Sequence, residues 1–177
     1  GNIGRAVARR AQAFEMKVMA LTRNPRPLDP TPAFMGGYDQ RGEILGAVDF
    51  LVICCPLTEE TRGIIGRGEL TAMKSSAVVI NVARGHIADE DALFEALSKD
   101  VIGGAILDTW YQYPTADDRR VRPSKHTFHE LDNVLMTPHI SGWSEGQQQR
   151  RWAKTGDNIE ALMTGGDLIN VMRPAQS

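Results

Sequence analysis

Two side chains with complementary chemistry stand in two short runs of this sequence. Arg84 lies in Asn81-Val82-Ala83-Arg84-Gly85, and His139 lies in Thr137-Pro138-His139-Ile140-Ser141-Gly142. A guanidinium offers a planar fork of N–H donors that matches a carboxylate. An imidazole, with an unperturbed pKa of about 6.5, gives and takes a proton around neutrality. Each run follows an apolar stretch, so both residues are expected where buried strands end, the place where ligands gather in open α/β sheets. An arginine there needs a partner, and the segment alone leaves open whether that is a ligand carboxylate or a structural one. A solitary loop histidine is more often structural or solvated, so His139 gains its meaning from its spacing to Arg84 and Asp108. The other histidines, His86, His126 and His129, are read as surface or loop residues.

The elements that must position these residues alternate between strand and helix, the pattern of a parallel sheet covered by helices. Apolar spacing predicts a helix over Arg5 to Glu15, with Val7, Ala11 and Phe14 on one face. A short strand follows at Lys17 to Leu21, then a breaker-rich stretch from Asn24 to Pro32 and a weaker helix over Gln40 to Leu45. Asp49 to Cys55 is a continuous apolar run, as in a strand buried on both faces. Next come a short helix at Glu69 to Met73 and a strand at Ala77 to Val82. Asp89 is placed to cap a helix bearing Ala92, Leu93, Ala96 and Leu97, and Ile102 to Leu107 is the next strand. The stretch from Thr109 to Asp132 is long, irregular and rich in Pro, Asp and Arg. A last strand at Asn133 to Met136 precedes a long helix at Ser144 to Met163, ended by Gly165-Gly166.

Gly1-Asn2-Ile3-Gly4, opening the first helix, reads as the back half of a dinucleotide-binding fingerprint, in which glycine lets backbone N–H groups approach a pyrophosphate. A glycine-rich terminus is the plainer alternative. A complete fingerprint has a further glycine and a preceding central strand. Neither is in this sequence, so the chain reads as a fragment, expected to be poorly stable and nearly inactive in isolation. After the second strand the sequence runs Thr22-Arg23-Asn24, without the Asp or Glu that binds a ribose 2′-hydroxyl in NAD sites. Arg23 could pair with a 2′-phosphate, which tips the expected cofactor towards NADP over NAD. An exposed loop arginine is the bland reading.

The composition narrows the classes. The 177 residues carry a net charge of -2, which argues against a nucleic-acid or anionic-membrane surface, and no apolar run is long enough to span a membrane. The two cysteines, Cys54 and Cys55, are adjacent in an apolar run and read as reduced thiols, fitting a cytoplasmic location; no metal site is expected.

In order and spacing, these motifs resemble the nicotinamide-binding domain of the D-isomer-specific 2-hydroxyacid dehydrogenases. The resemblance implies a doubly wound parallel sheet of the Rossmann type, incomplete at the N-terminus. It implies an NAD(P)-binding domain over residues 1–165, with 166–177 returning towards a substrate domain that would precede Gly1. It further implies an oxidoreductase moving a hydride between a nicotinamide and a 2-hydroxyacid or 2-ketoacid, and a homodimer when complete. Arg84 would grip the substrate carboxylate and His139 would serve as acid and base. The cofactor would be held by Gly1, Asn2, Ile3, Gly4, Thr22, Arg23, Cys55, Pro56, Thr61, Val82, Ala83, Arg84, Asp108, His139 and Gly142, with Asp108 at the nicotinamide end.

One position departs from the family pattern. A glutamate usually supports the histidine, but Asp108-Thr109-Trp110-Tyr111-Gln112-Tyr113-Pro114 puts Tyr113 there, a neutral phenol that cannot stabilise an imidazolium as a carboxylate does. Asp117, Asp118 or Glu130 could replace it from the long loop. Two rival readings remain: a nucleotide-sensing protein like the corepressors that resemble this family, or a truncated, inactive relative.

Overall fold

The computed structural model describes residues 1–29 and 31–171, so residues 172–177 of the expected C-terminal segment lie outside the described residues. The chain divides into two units, Gly1–Ser141 and Gly142–Ser177.

The first unit opens with α1 (Asn2–Ala13), β1 (Met19–Leu21) and β2 (Phe34–Gly36). A single 3-10 turn at Tyr38–Arg41 runs into α2 (Gly42–Leu45), followed by β3 (Phe50–Ile53) and α3 (Arg67–Ala72). Then come β4 (Val78–Asn81), α4 (Glu90–Ser98), β5 (Gly104–Leu107) and β6 (Val134–Met136). Every strand pairing is parallel, but the strands form two sheets, β1-β2 and β3-β4-β5-β6. Parallel strands joined through helices are what the alternating pattern requires.

The core belongs to the four-stranded sheet. Val79 of β4 and Ala105 and Leu107 of β5 are buried, and so are Leu70 of α3 and Ala92, Leu93, Ala96 and Leu97 of α4. The α4 face is the one its spacing predicts. Its cap is the expected one too, since the Asp89 side chain accepts the Ala92 N–H at 2.8 Å. Such a cap contributes about 1 kcal/mol by satisfying one of the first-turn donors. The long stretch after β5 is irregular, as expected, yet it is anchored. Trp110, Tyr111 and Phe128 sink into the core, and His126 stacks on Phe94 while bonding Asp91 at 2.6 Å. His126 is therefore a tether between this loop and α4, whereas His129 is exposed.

The two-stranded part is different. No residue of α1 is buried, and Phe14, just beyond its end, is 82% exposed, against the expected apolar face of Val7, Ala11 and Phe14. β1-β2 is not hydrogen-bonded to β3-β6, so α1 has no continuous sheet to lie on. For the same reason β3 is an edge strand, and Phe50 is half exposed instead of buried on both faces. β2 has no counterpart in the sequence reading: three residues between Thr31-Pro32 and Gly36-Gly37 are too few to show a period.

The second unit contains α5 (Gln147–Thr164), closed by Gly165 in the left-handed conformation that glycine adopts without a steric cost. Asn158 exchanges two hydrogen bonds with the backbone of Ile169, which ties the following segment to the helix. Trp152, Leu162 and Met163 of α5 are exposed. Among the described residues no helix is long and apolar enough to cross a membrane.

Candidate active site

β4, β5 and β6 lie side by side in register, Asn81 beside Leu107 and Leu107 beside Met136, so the segments that follow them emerge together at one sheet edge. Arg84 follows β4 and His139 follows β6. Two inter-strand spacings place their chains roughly 10 Å apart. That leaves room between the two side chains for a small molecule.

A buried polar residue braces each of the two loops. Asn81 is 1% exposed; its amide donates to the Arg84 carbonyl at 2.9 Å and its oxygen accepts the Ala83 N–H at 3.1 Å. The Thr109 hydroxyl, also buried, donates to the same oxygen. The Asn81 bonds fix the turn on which Arg84 stands and leave the guanidinium outside. It is exposed and donates to the neighbouring Ala83 carbonyl. Among the described residues no carboxylate lies within ion-pair distance of Arg84, so the structural partner that the segment allowed is not there.

The His139 loop is held by Asp108. This side chain is 2% exposed, and its carboxylate accepts from the hydroxyls of Thr137 and Ser141 and from the N–H groups of Ile140 and Ser141. Burial alone would raise its pKa. The bonds from the Ser141 and Thr137 hydroxyls and from the two amides outweigh that and hold the carboxyl below its ordinary range. The donors surround His139, which sits at φ 59°, a left-handed conformation that costs a non-glycine residue free energy. Asp108 over-determines the loop and keeps the imidazole outside it, exposed. Both Asp108 oxygens are bonded within the His139 loop.

Trp110 links the loops. Its indole N–H donates to the Thr137 carbonyl at 3.0 Å, and its own backbone N–H donates to the Tyr113 hydroxyl at 2.9 Å. Gly85 packs so closely on this segment that a Cβ would lie 2.5 Å from the Trp110 carbonyl oxygen. A side chain at 85 would push the Arg84 turn away from the β5 loop. Tyr113 stands with its ring 5.5 Å from that of His139, tilted by 49°. It adjoins the imidazole through ring contact, its hydroxyl being bound to Trp110. Neither Asp117, Asp118 nor Glu130 forms an ion pair with His139; Asp118 accepts the Arg120 N–H, and Glu130 lies near His129.

The residues expected to hold the nucleotide lie on α1, after β1 and on the loop after β3. Gly1 caps α1 without a side-chain bond, and the first turn holds no acidic residue. Uncapped N–H groups at such a start suit an anion. Gly1, Asn2 and Ile3 are exposed, and a Cβ on Gly4 would touch Cys54, so α1 begins beside the end of β3. Thr22 is half-buried, and Arg23 donates to Glu60 at 2.8 Å and to the Thr58 hydroxyl at 3.3 Å. Thr61 is fully buried; its hydroxyl donates to the Pro56 carbonyl and accepts the Thr58 N–H, so it shapes the loop from within. Pro56 is exposed and Cys55 half-buried, and burial pushes the thiols of Cys54 and Cys55 up, which keeps both neutral. Val82 and Ala83 are half-buried beside Arg84, and Gly142 falls in the second unit. An uncapped helix start together with a cation beyond β1 is a donor set that fits a dinucleotide. Sequence reasoning missed Asn81 and Trp110 as braces, though a polar residue closing an apolar strand was a usable signal. It also missed Glu60, which no spacing rule connects to Arg23.

The chain is similar to known proteins over nearly its whole length. The family profile described as D-isomer specific 2-hydroxyacid dehydrogenase, NAD binding domain, matches residues 1–141. The glyoxylate/hydroxypyruvate reductase B of Pectobacterium carotovorum is 37% identical over 175 residues, covering 98% of this chain and 52% of that protein. The structure of D-lactate dehydrogenase with NAD+ from Lactobacillus jensenii superposes with a TM-score of 0.84 at 28% identity, over 98% of this chain and 53% of the other. An NADPH-dependent glyoxylate/hydroxypyruvate reductase from Sinorhizobium meliloti, solved with NADP and sulfate, gives a TM-score of 0.82 at 26% identity, over 97% of this chain and 52% of the other. The chain spans about half the length of the curated relatives it matches. This chain belongs to the NAD-binding domain family of the D-isomer specific 2-hydroxyacid dehydrogenases.

Proposed function

We propose that this protein interconverts a 2-ketoacid and a 2-hydroxyacid with a nicotinamide cofactor, and that Arg84 and His139 carry the chemistry. The observation that carries the reading is that the loops bearing these two side chains emerge at one sheet edge, each braced from below, and that among the described residues neither side chain is ion-paired to a carboxylate. Arg84 binds the substrate carboxylate with its fork and draws electron density from the carbonyl oxygen. His139 hydrogen-bonds that oxygen and gives it a proton as the carbonyl is reduced; in the reverse direction it takes the proton from the hydroxyl. When bound, the nicotinamide supplies or accepts the hydride at the carbonyl carbon. Trp110 and Gly85 link the two loops, so the spacing of the backbones that carry Arg84 and His139 is fixed. Tyr113 lies against His139 and orients the imidazole through ring contact without adding charge.

The start of α1 receives the pyrophosphate of the cofactor, and Arg23 faces the adenosine ribose. The absence of a carboxylate in Thr22-Arg23-Asn24 favours NADP(H). Glyoxylate and hydroxypyruvate are the substrates of choice for a first assay, being named in the relatives. Homodimeric assembly and a cytoplasmic location belong to the same proposal and rest on the family resemblance. The test is the initial rate of NADPH or NADH oxidation with these acids, repeated with Arg84→Ala. Turnover by the wild type with a loss of about 10²–10³-fold in kcat/KM for the variant is expected, the magnitude of removing one charged stabilising donor. Unchanged kcat/KM in Arg84→Ala would remove the assignment.

A further inference from the structure

At the expected nucleotide end, Arg23, the cation that follows β1, is already held. Arg23 and Glu60 are each about half exposed and paired at 2.8 Å through Arg23 Nε, and Arg23 Nη2 donates to the Thr58 hydroxyl. Glu60 is not a loosely placed surface acid. The chain beside it is fixed by the buried Thr61, whose hydroxyl bonds the Pro56 carbonyl at 2.7 Å and accepts the Thr58 N–H at 2.8 Å. The Thr58 and Thr61 hydroxyls are also 3.1 Å apart. The loop after β3 therefore presents a carboxylate to the residue that follows β1, across the gap between the two sheets.

We propose that Glu60 is a specificity-determining residue, which holds Arg23 in the absence of a 2′-phosphate and disfavours phosphorylated ribose relative to the unphosphorylated form. The inference rests on the nucleotide reading given above. A 2′-phosphate on Arg23 brings nearly two negative charges beside Glu60, whose carboxylate repels it and competes for the same guanidinium. A 2′-hydroxyl makes no such demand. It leaves the pair intact, and the second Glu60 oxygen is free to accept from it. Two forms of the cofactor are thus read by one pair. The carboxylate that Thr22-Arg23-Asn24 lacks thus stands on the loop after β3, paired with Arg23, and tempers the preference for the 2′-phosphate that the arginine confers.

The experiment is titration calorimetry of the protein with 2′,5′-ADP and with 5′-ADP, for wild type, Glu60→Gln, Glu60→Ala, Arg23→Ala and the Arg23→Ala/Glu60→Gln double variant. Both Glu60 variants are expected to tighten 2′,5′-ADP by roughly fivefold or more, since an exposed pair and a nearby like charge are each worth a small factor. They should not tighten 5′-ADP. In the Arg23→Ala background the gain should shrink to less than half, because there is no cation left to release. A ratio of the two affinities that stays within about twofold of wild type in both Glu60 variants would overturn the inference while leaving the nucleotide site standing. So would a gain of equal size without Arg23. Failure of the wild type to bind either nucleotide would remove the nucleotide reading and this inference with it.

Discussion

The two ends of the site are held in opposite ways. At the β5–β6 end, a buried carboxylate takes hydrogen bonds from four groups of one short loop, and Trp110 adds another from its indole. At the β1 end, an arginine and a glutamate from separate sheets meet with half of each side chain in water. Hydrogen bonds to a buried charge are worth more than neutral ones and are lost together if the charge is removed. An exposed ion pair contributes little and yields easily to a competing ion. A proton donor must be positioned to within a fraction of an ångström, whereas a discriminating ion pair has to move aside. Rigidity at one end and exposure at the other match the roles proposed for them.

The contrast breaks most sharply at Asp108. Asp108→Ala leaves two amides and two hydroxyls without an acceptor and should cost about 2–4 kcal/mol of stability. It should also lower kcat far more than it changes nucleotide affinity, because His139 is no longer pinned in its left-handed conformation. Chemical denaturation and a KM-against-kcat comparison check both halves, with Asp108→Asn retaining part of each. The same carboxylate predicts an acid limb in stability. Its folded pKa lies below the unfolded value of about 3.9. Its contribution is therefore present above that range and is lost as pH falls through the folded value. Melting temperature should drop on the acid side more steeply in the wild type than in Asp108→Asn.

Gly85→Ala tests whether the Arg84 and His139 loops are set against each other. The added Cβ would lie 2.5–2.6 Å from the Trp110 carbonyl, which is backbone and cannot swing away. A loss of about 1–3 kcal/mol is expected, as for other overpacked sites, with a rise in KM for the ketoacid. Wild-type stability and KM in this variant would show the contact to be soft.

The polar braces were the least legible part of the site. The runs around Arg84 and His139 and their places at strand ends followed from apolar runs and order. So did the α4 cap at Asp89 and the face Ala92, Leu93, Ala96 and Leu97, since local periodicity and capping chemistry carry that information. The role of Asp108 did not, because an acid following a strand reads as a turn residue or a cofactor contact until its donors, some thirty residues later, are brought beside it. α1 failed in another way. Its apolar pattern was read correctly as a helix, but burial depends on the surface it meets, and that surface is not written in the helix. The Glu60–Arg23 pair spans 37 residues and two sheets, and nothing local announces it.

Tyr113→Glu sharpens the rigid end with a smaller effect. Ring centroids 5.5 Å apart put a carboxylate at this position within reach of the imidazole. An acid there favours imidazolium, and ketoacid reduction needs His139 protonated. The falling limb of kcat/KM should move to higher pH by about half to one unit. A limb that stays in place would mean the ring contact does not bring position 113 into electrostatic range.

The smallest expected change is at the adjustable end. Arg23→Ala should lower the preference for NADPH over NADH by roughly three- to tenfold and leave the melting temperature within about a degree, as befits an exposed pair. An unchanged ratio would make Arg23 a surface residue.

In the proposed reaction His139, on the loop that Asp108 pins, moves the proton to the ketoacid oxygen. The most direct measurement is kcat with glyoxylate for wild type and His139→Ala, alongside the Kd of NADPH for both. The expected result is a fall in kcat of about 10²–10⁴-fold, the usual worth of a positioned acid or base, with Kd within about threefold of wild type. Retention of wild-type kcat in His139→Ala, with NADPH still bound, would contradict it.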